Sequence, residues 1–127
     1  MDNHKAITTE SAPDAIGPYS QAISSGNFVF VSGQLGIDPR TGQLVNADIK
    51  VQTRQSLENI KAILSEASLS MADVVQVQVF LSDIKDFASM NEIYADYFSP
   101  PYPARAAIQA AALPKGGLVE ITAVASK

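Results

Sequence analysis

Apolar and polar positions alternate with a period that changes several times along this chain of 127 residues. Residues 28–31 (FVFV) form a continuous apolar run, which is typical of a strand buried on both faces. The run ends at Ser32 and Gly33. Residues 38–42 (DPRTG) supply the proline and glycine of a tight turn, after which residues 44–45 resume a short strand. This segment therefore predicts a β-hairpin.

The pattern becomes helical from about Asp48 to Ala67. Leu57, Ile60 and Leu64 share one stripe with Ala67 at helical spacing, as in a helix that packs on a core. Asp48 is a suitable N-cap because its carboxylate can accept hydrogen bonds from the first turn. We expect a helix of about 20 residues here, counted from residue 48 to residue 67.

Residues 74–81 (VVQVQVFL) return to strict alternation, which predicts a half-buried strand. One face of this strand is expected to carry Gln76 and Gln78. The opposite, core-facing side is expected to carry Val75, Val77, Val79 and Leu81.

A second helix is predicted after Asp86, which is placed to cap it. Apolar side chains follow at near-helical spacing, and Pro100 with Pro101 ends the helix. These apolar side chains are Phe87, Met90, Tyr94 and Tyr97.

Two further apolar segments, 104–113 and 118–125, are joined by residues 114–117 (PKGG) and are predicted to form a closing pair of strands. The element order is then β, β, short β, α, β, α, β, β. It indicates one α+β domain over residues 1–127, in which a mixed sheet carries both helices on one face. Segment 104–113 has no distinctly polar face, so the other sheet face needs a cover, and we predict a homo-oligomer.

Composition restricts the possible chemistry. The chain has no cysteine and a single histidine, His4, which excludes thiolate sites, a Ser-His-Asp triad and a multi-histidine metal site. Its formal net charge is −4 without a run of basic residues, which disfavours nucleic-acid binding. No apolar stretch approaches the roughly 18 residues of a membrane span. We expect a soluble, cytoplasmic protein.

Arg105 is the first candidate for a functional residue. It follows prolines 100, 101 and 103 and opens an otherwise uncharged strand, where its planar guanidinium can bind a carboxylate through two hydrogen bonds. The alternative is an exposed arginine at the start of a strand, and position alone favours that alternative.

Glu120 is the second candidate, because it lies between Val119 and Ile121 in a strand with no other charge. Near an apolar pocket a carboxylate can have its pKa raised and act as a base on water. A glutamate on the wet face of a half-buried strand is an equally good interpretation.

Four weaker candidates complete the set. Tyr19 follows Gly17 and Pro18 and can direct its ring into a cleft or into the core. The pair Ser32-Gly33 can bind an oxygen atom or can simply form a turn. Asn91, inside the second helix, resembles a solvated residue more than a ligand contact. None of these is a strong motif alone.

Taken together, six blocks of the sequence resemble the successive blocks of the Rid (RidA/YjgF) family of imine deaminases. The segment PARAAI, followed by LPKGG and VEI, is the most specific part. The blocks are residues 16–22, 28–42, 52–64, 79–98, 103–108 and 113–121.

The resemblance implies a chorismate-mutase-like fold and a homotrimer with active sites between subunits. It also implies hydrolysis of reactive 2-imino and enamino acids, such as 2-iminobutanoate and 2-iminopropanoate, to 2-keto acids and ammonia, with neither cofactor nor metal. Arg105 matches the family arginine that binds the substrate carboxylate, and Glu120 matches the glutamate that orients or activates water. The family's cleft positions correspond to Tyr19, Ser32, Gly33 and Asn91.

Two positions depart from the family pattern: Ala107 stands where a cysteine is common, and Thr122 where many members carry a second acid. An alternative function is a non-enzymatic regulatory trimer that binds small keto acids through Arg105. A third, RNA cleavage or translation inhibition, is disfavoured by the acidic charge balance.

Overall fold

A computed structural model describes residues 3–127 of the chain. The elements in chain order are β1 His4–Ile7, β2 Ala22–Ser25, β3 Phe28–Leu35, β4 Ile37–Asp38, β5 Gln43–Leu44, α1 Ile49–Glu66, β6 Val74–Leu81, α2 Phe87–Tyr94, β7 Ala104–Gln109 and β8 Val119–Ser126. Six strands form one sheet in the order β1-β2-β3-β8-β6-β7, and β4 pairs with β5. All neighbours in the large sheet are antiparallel except β6 and β7.

Helix α1 begins where the sequence predicts it. The Asp48 carboxylate accepts hydrogen bonds from the backbone N–H groups of Lys50 and Val51, so it caps the helix. Leu57, Ile60 and Leu64 are buried against the sheet. Sequence and structure agree here because the stripe and the cap specify the same helix.

Strand β8 shows which side of the sheet holds the core. Val119, Ile121, Ala123 and Ala125 are buried, whereas Glu120 and every second residue after it are only half-buried. Alternate side chains of a strand point to opposite faces, and both helices contribute to the core on the first face. The prediction of an α+β domain with both helices on one face is confirmed. We call the second side the open face.

The prediction that residues 28–31 are buried on both faces is wrong. Val29 and Val31 lie in the core, but Phe28 and Phe30 are 44% and 47% exposed on the open face. Because no helix covers that face, only alternate residues of β3 are enclosed within one chain. Ile108 on β7 is 52% exposed on the same face, opposite Phe80 in the register.

The prediction from strict alternation that Val75 faces the core is also wrong. The pairing of β6 with β8 shifts register between Val74 and Gln76, so that Val74 is buried and Val75 is 45% exposed. A bulge of this kind adds one residue to a strand and reverses the faces before it.

The predicted closing strand pair is the third correction. β7 pairs in parallel with β6 at the sheet edge, and β8 lies between β3 and β6. The burial of the two strands agrees with this arrangement. Strand β8 contributes four buried residues, as expected of a central strand, whereas in β7 only Ala107 is half-buried and the other residues are exposed. Strand β1, which pairs with β2, was not predicted.

The second helix is shorter than predicted. It ends at Tyr94, ahead of Tyr97 and the prolines, and the Asp86 side chain makes no capping hydrogen bond within the described chain. No helix among residues 3–127 is long and apolar enough to cross a membrane.

Candidate functional site

Arg105 lies on β7 directly opposite the buried Val77, so its side chain emerges on the helix-covered side of the sheet. Its Nη1 donates a hydrogen bond of 2.6 Å to Oδ1 of Asn91 on α2. A guanidinium donor makes this bond short and charge-assisted. The structure therefore brings together two of the predicted site residues.

Two aromatic rings of α2 complete the surroundings of this guanidinium. The Arg105 Cζ atom lies 4.6 Å from the ring centroid of Tyr94 and 5.3 Å from that of Phe87. Residues 87, 91 and 94 share one helix face because they are spaced by four and three. A cation above such rings is attracted by their negative faces, so α2 fixes the plane of the guanidinium.

Tyr94 is itself constrained. Its ring packs on Phe98 with centroids 4.4 Å apart, and burial raises the pKa of its phenol, with the positive charge of Arg105 opposing that rise. The buried hydroxyl makes no hydrogen bond of standard geometry within residues 3–127, but it interacts with the Arg105 guanidinium, which acts to lower the pKa of the phenol. Arg105, Asn91, Tyr94 and Phe87 are called the arginine group below.

Within the described chain, no acidic side chain lies within 4 Å of the Arg105 guanidinium. The ion pairs found there join Asp38 to Arg40, Lys50 to Glu92 and Arg54 to Asp96. The arginine is nevertheless held in place by Asn91 and exposed to solvent. An oriented guanidinium without an acidic partner is well suited to bind a carboxylate from solution.

Glu120 lies on β8 opposite Phe80 of β6, and its side chain emerges on the open face. The carboxyl is half-buried, and this burial raises its pKa above the ordinary glutamate value. Such a carboxylate is a better base near neutral pH than a fully hydrated one.

A β-bulge shapes the backbone beside Glu120. Val31 pairs with Ala123 and Gln34 with Ile121, so Ser32 and Gly33 together face one residue of β8. A Cβ atom on Gly33 would stand 2.7 Å from Oε2 of Glu120. A side chain at residue 33 would therefore displace the carboxylate from its present position.

Ser32 anchors the bulge. Its hydroxyl donates to the carbonyl of Ser20 at 2.6 Å, and its backbone N–H donates to the carbonyl of Gln21 at 2.9 Å. Both donors are therefore occupied, and only the lone pairs of the hydroxyl oxygen remain for a ligand. Glu120, Ser32 and Gly33 are called the glutamate group below.

Tyr19 directly precedes Ser20, whose carbonyl accepts the hydrogen bond of the Ser32 hydroxyl, so the tyrosine is connected through the backbone to the glutamate group. Its ring packs over Gly17, whose φ of +128° is a conformation that favours glycine, and the tyrosine is 53% exposed. The loop thus holds an aromatic ring outward, free to cover a ligand or an adjoining surface.

The six predicted residues form two clusters rather than one. Arg105 and Asn91 lie on the helix-covered side, and Glu120, with Gly33 against it, emerges on the open side. Tyr19 is linked to this second cluster only through the hydrogen bond between its neighbour Ser20 and Ser32. Two surface grooves of the chain, one beside Tyr97 and one beside Lys127, include none of the six. Residues 3–127 contain no cluster of histidine and acidic residues that could hold a metal ion.

Phe87 and Tyr94 are site residues that the sequence analysis assigned only to an apolar helix stripe. A signal was present, since Asn91 is the fourth residue after Phe87 and the third before Tyr94. A polar residue in the middle of an aromatic stripe indicates that the stripe contacts a polar group.

Comparison with known proteins places these features in context. The family described as Endoribonuclease L-PSP matches residues 9–127. A RutC family protein of Pyrococcus horikoshii is 58% identical over 123 residues, which cover 97% of this chain and 98% of that protein. The 2-iminobutanoate/2-iminopropanoate deaminase of Bos taurus is 50% identical over 121 residues, covering 95% and 88%.

Among solved structures, Escherichia coli TdcF with bound serine superposes with a TM-score of 0.92. It shares 45% sequence identity with this chain, and the match covers 97% of this chain and 98% of that one. The fold and the sequence therefore agree along nearly the whole length.

Proposed function

This chain belongs to the Rid (RidA/YjgF) family, and on that premise we propose that it hydrolyses 2-iminobutanoate and 2-iminopropanoate to 2-keto acids and ammonia. The observation that carries the proposal is the Arg105 guanidinium, which is oriented by Asn91 and two rings and has no acidic partner in the described chain. Relatives named as deaminases at about half identity support it.

The reaction needs little beyond positioning, because the carbon of a protonated imine is already electrophilic. Arg105 binds the substrate carboxylate. The Glu120 carboxylate accepts a proton from water as the water oxygen bonds to the imine carbon. Glu120 then returns that proton to the nitrogen of the tetrahedral intermediate. As the C–N bond breaks, Glu120 takes the proton of the hydroxyl group so that the carbonyl forms, and this proton passes to the departing ammonia. The raised pKa of Glu120 suits this exchange.

A complete site requires two copies of the chain, because the sheet separates the arginine group from the glutamate group within one chain. We propose a homotrimer in which the arginine group of one subunit faces the glutamate group of the next. The exposed rings of Phe28 and Phe30 and the side chain of Ile108 support this arrangement, since an apolar sheet face is suited to subunit contact.

A second candidate is a regulatory trimer that binds a small carboxylate without turning it over. The observation that favours it is the serine bound to the similar E. coli TdcF, together with an arginine group whose contacts do not involve Glu120. Relatives more similar than the deaminases carry only the name RutC family. Substitution of Glu120 separates the two candidates, as described below.

Ribonuclease activity, which the family's description suggests, is the weaker candidate. The chain carries nine basic residues against thirteen acidic ones, and the sequence has no basic run to follow a phosphate backbone.

The decisive assay generates the imine in place. A threonine or serine dehydratase releases the imine in the presence of semicarbazide, which traps it, and free keto acid is measured. We expect this protein to accelerate keto-acid formation and to divert imine from the trap. An unchanged rate with both amino acids would contradict the deaminase and favour the binding trimer.

A further inference from the structure

Helix α1 buries four polar side chains, of which Thr53 makes no side-chain hydrogen bond within residues 3–127 and the other three are hydrogen-bonded to the backbone of neighbouring segments. Gln52, Ser56 and Asn59 are each no more than 2% exposed, and their spacing of four and three places them in one line. We call them the polar stripe. Buried polar groups are costly unless they are hydrogen-bonded, so their partners show what the stripe holds in place.

Two members of the stripe bind the end of β3. The Ser56 hydroxyl donates to the carbonyl of Gln34 at 2.7 Å. Nδ2 of Asn59 donates to the carbonyls of Leu35 at 3.2 Å and Ile37 at 2.9 Å. These carbonyls follow directly after the bulge of the glutamate group.

The third member binds the approach to β8. Oε1 of Gln52 accepts a 2.9 Å hydrogen bond from the backbone N–H of Leu118, two residues before Glu120. A Cβ atom on Gly36 would stand 2.8 Å from the Gln52 backbone, so helix and strand are in direct contact here. One helix face thus holds the backbone of both strands that form the glutamate group.

We propose that Gln52, Ser56 and Asn59 are positioning residues for the glutamate group. By fixing the end of β3 and the start of β8 to one rigid helix, they set the Glu120 carboxylate over Gly33. The inference rests on the proposed function, because positioning matters for catalysis only if Glu120 handles water.

The fit between the two strands leaves little room for error. The Glu120 carboxylate occupies the space that a Cβ at residue 33 would need, since such an atom would stand only 2.7 Å from Oε2, so the position of this carboxylate depends on how the two strands are placed. Misplacement of a catalytic group by about 1 Å can cost on the order of 100-fold in rate.

The test substitutes Asn59 with leucine, which is similar in size and removes both donated hydrogen bonds. We expect turnover in the dehydratase assay to fall roughly 10- to 100-fold. Binding of 2-ketobutanoate should be unchanged, because the hydrogen bonds of Asn59 go to Leu35, Ile37 and Gln55 and none goes to the arginine group. The matched control is Ile63→Val, which alters a buried side chain of the same helix that is outside the polar stripe, and it should retain turnover.

A merely structural role would lower turnover and 2-ketobutanoate binding together, or would give the same loss in Ile63→Val, and either result would overturn the inference. Full turnover in folded Asn59→Leu would also overturn it. If Asn59→Leu does not fold, Ser56→Ala takes its place, and we again expect turnover to fall while 2-ketobutanoate binding is unchanged.

If the proposed function is wrong, the unsubstituted protein itself will show no deamination, which distinguishes this outcome from failure of the positioning inference. Hydrogen exchange of residues 32–36 then decides the positioning claim. Faster exchange in Asn59→Leu than in Ile63→Val supports it, and equal exchange contradicts it.

Discussion

The arginine group and the glutamate group are built in opposite ways. Arg105 lies on an edge strand and is held by side chains of one short helix, with its charge exposed. Glu120 lies on a central strand, and its setting is determined by a backbone bulge and by buried hydrogen bonds from α1. The first arrangement suits capture of a carboxylate from solvent, and the second suits precise placement of a base. The proposed function therefore assigns recognition and chemistry to different sides of one sheet.

Glu120→Gln should show the largest effect on turnover. The amide cannot accept the proton from water, so the rate of deamination is expected to fall on the order of 100- to 10,000-fold. Binding of 2-ketobutanoate, measured by calorimetry, should persist because the arginine group is intact. Retained deamination would favour a role for Arg105 alone, and equal loss of binding would show that the two groups are not separate in function.

Arg105→Ala should show the next largest effect on turnover. Loss of a carboxylate's hydrogen-bonded partner costs about 2 to 5 kcal/mol, or roughly 30- to 3,000-fold in binding or rate. Sedimentation should show that the oligomer survives. Arg54→Ala is the matched control, since that exposed arginine is 4.0 Å from Asp96 and belongs to neither group. Equal behaviour of the two variants would contradict the assigned role.

Tyr94 tests how the guanidinium is held. Tyr94→Leu removes the nearer ring, and we expect 2-ketobutanoate binding to weaken roughly 2- to 30-fold. Tyr94→Phe keeps the ring and removes a buried hydroxyl that makes no hydrogen bond of standard geometry, so binding should weaken less than in Tyr94→Leu and thermal stability should be equal or higher. A loss in Tyr94→Phe similar to that in Tyr94→Leu would show that the hydroxyl, rather than the ring, matters.

The smallest expected effect is a change in the pKa of Glu120. Burial raises this pKa in the single chain, and a guanidinium from the next subunit would lower it because it favours the charged carboxylate. Arg105→Ala should therefore raise the pKa of Glu120 in the oligomer, as measured by carbon-13 NMR of the carboxyl group. An identical titration curve in both proteins would place the two groups far apart.

An element could be predicted from the sequence where two local signals, such as a capping residue and an apolar stripe, indicate the same structure. Helix α1 has both a cap and an apolar stripe, and the hairpin of β4 and β5 has a proline and a glycine at its turn. Residue type and position named Arg105, Glu120 and Asn91 as candidates, but only the resemblance to the Rid family favoured a functional role for Arg105 and Asn91. Their separation onto two faces could not be predicted, because strand order depends on long-range pairing.

Bulges were the second source of error. The shift near Val75 reverses one side chain, and the shift at Ser32 and Gly33, where the apolar run ends, produces the glutamate group. An apolar pattern does not by itself specify where an extra residue enters a strand. The polar stripe was missed for a related reason. Gln52, Ser56 and Asn59 look like solvated helix residues until their strand partners are known.

The central claim, that each site combines the arginine group of one subunit with the glutamate group of the next, can be tested by complementation. Arg105→Ala and Glu120→Gln subunits, each inactive alone, are co-expressed at equal levels and assayed as the mixed oligomer. In a closed ring with random assembly, about a quarter of the clefts regain both groups, and we predict a similar share of the unsubstituted activity. A mixture no more active than its two parents would contradict the claim.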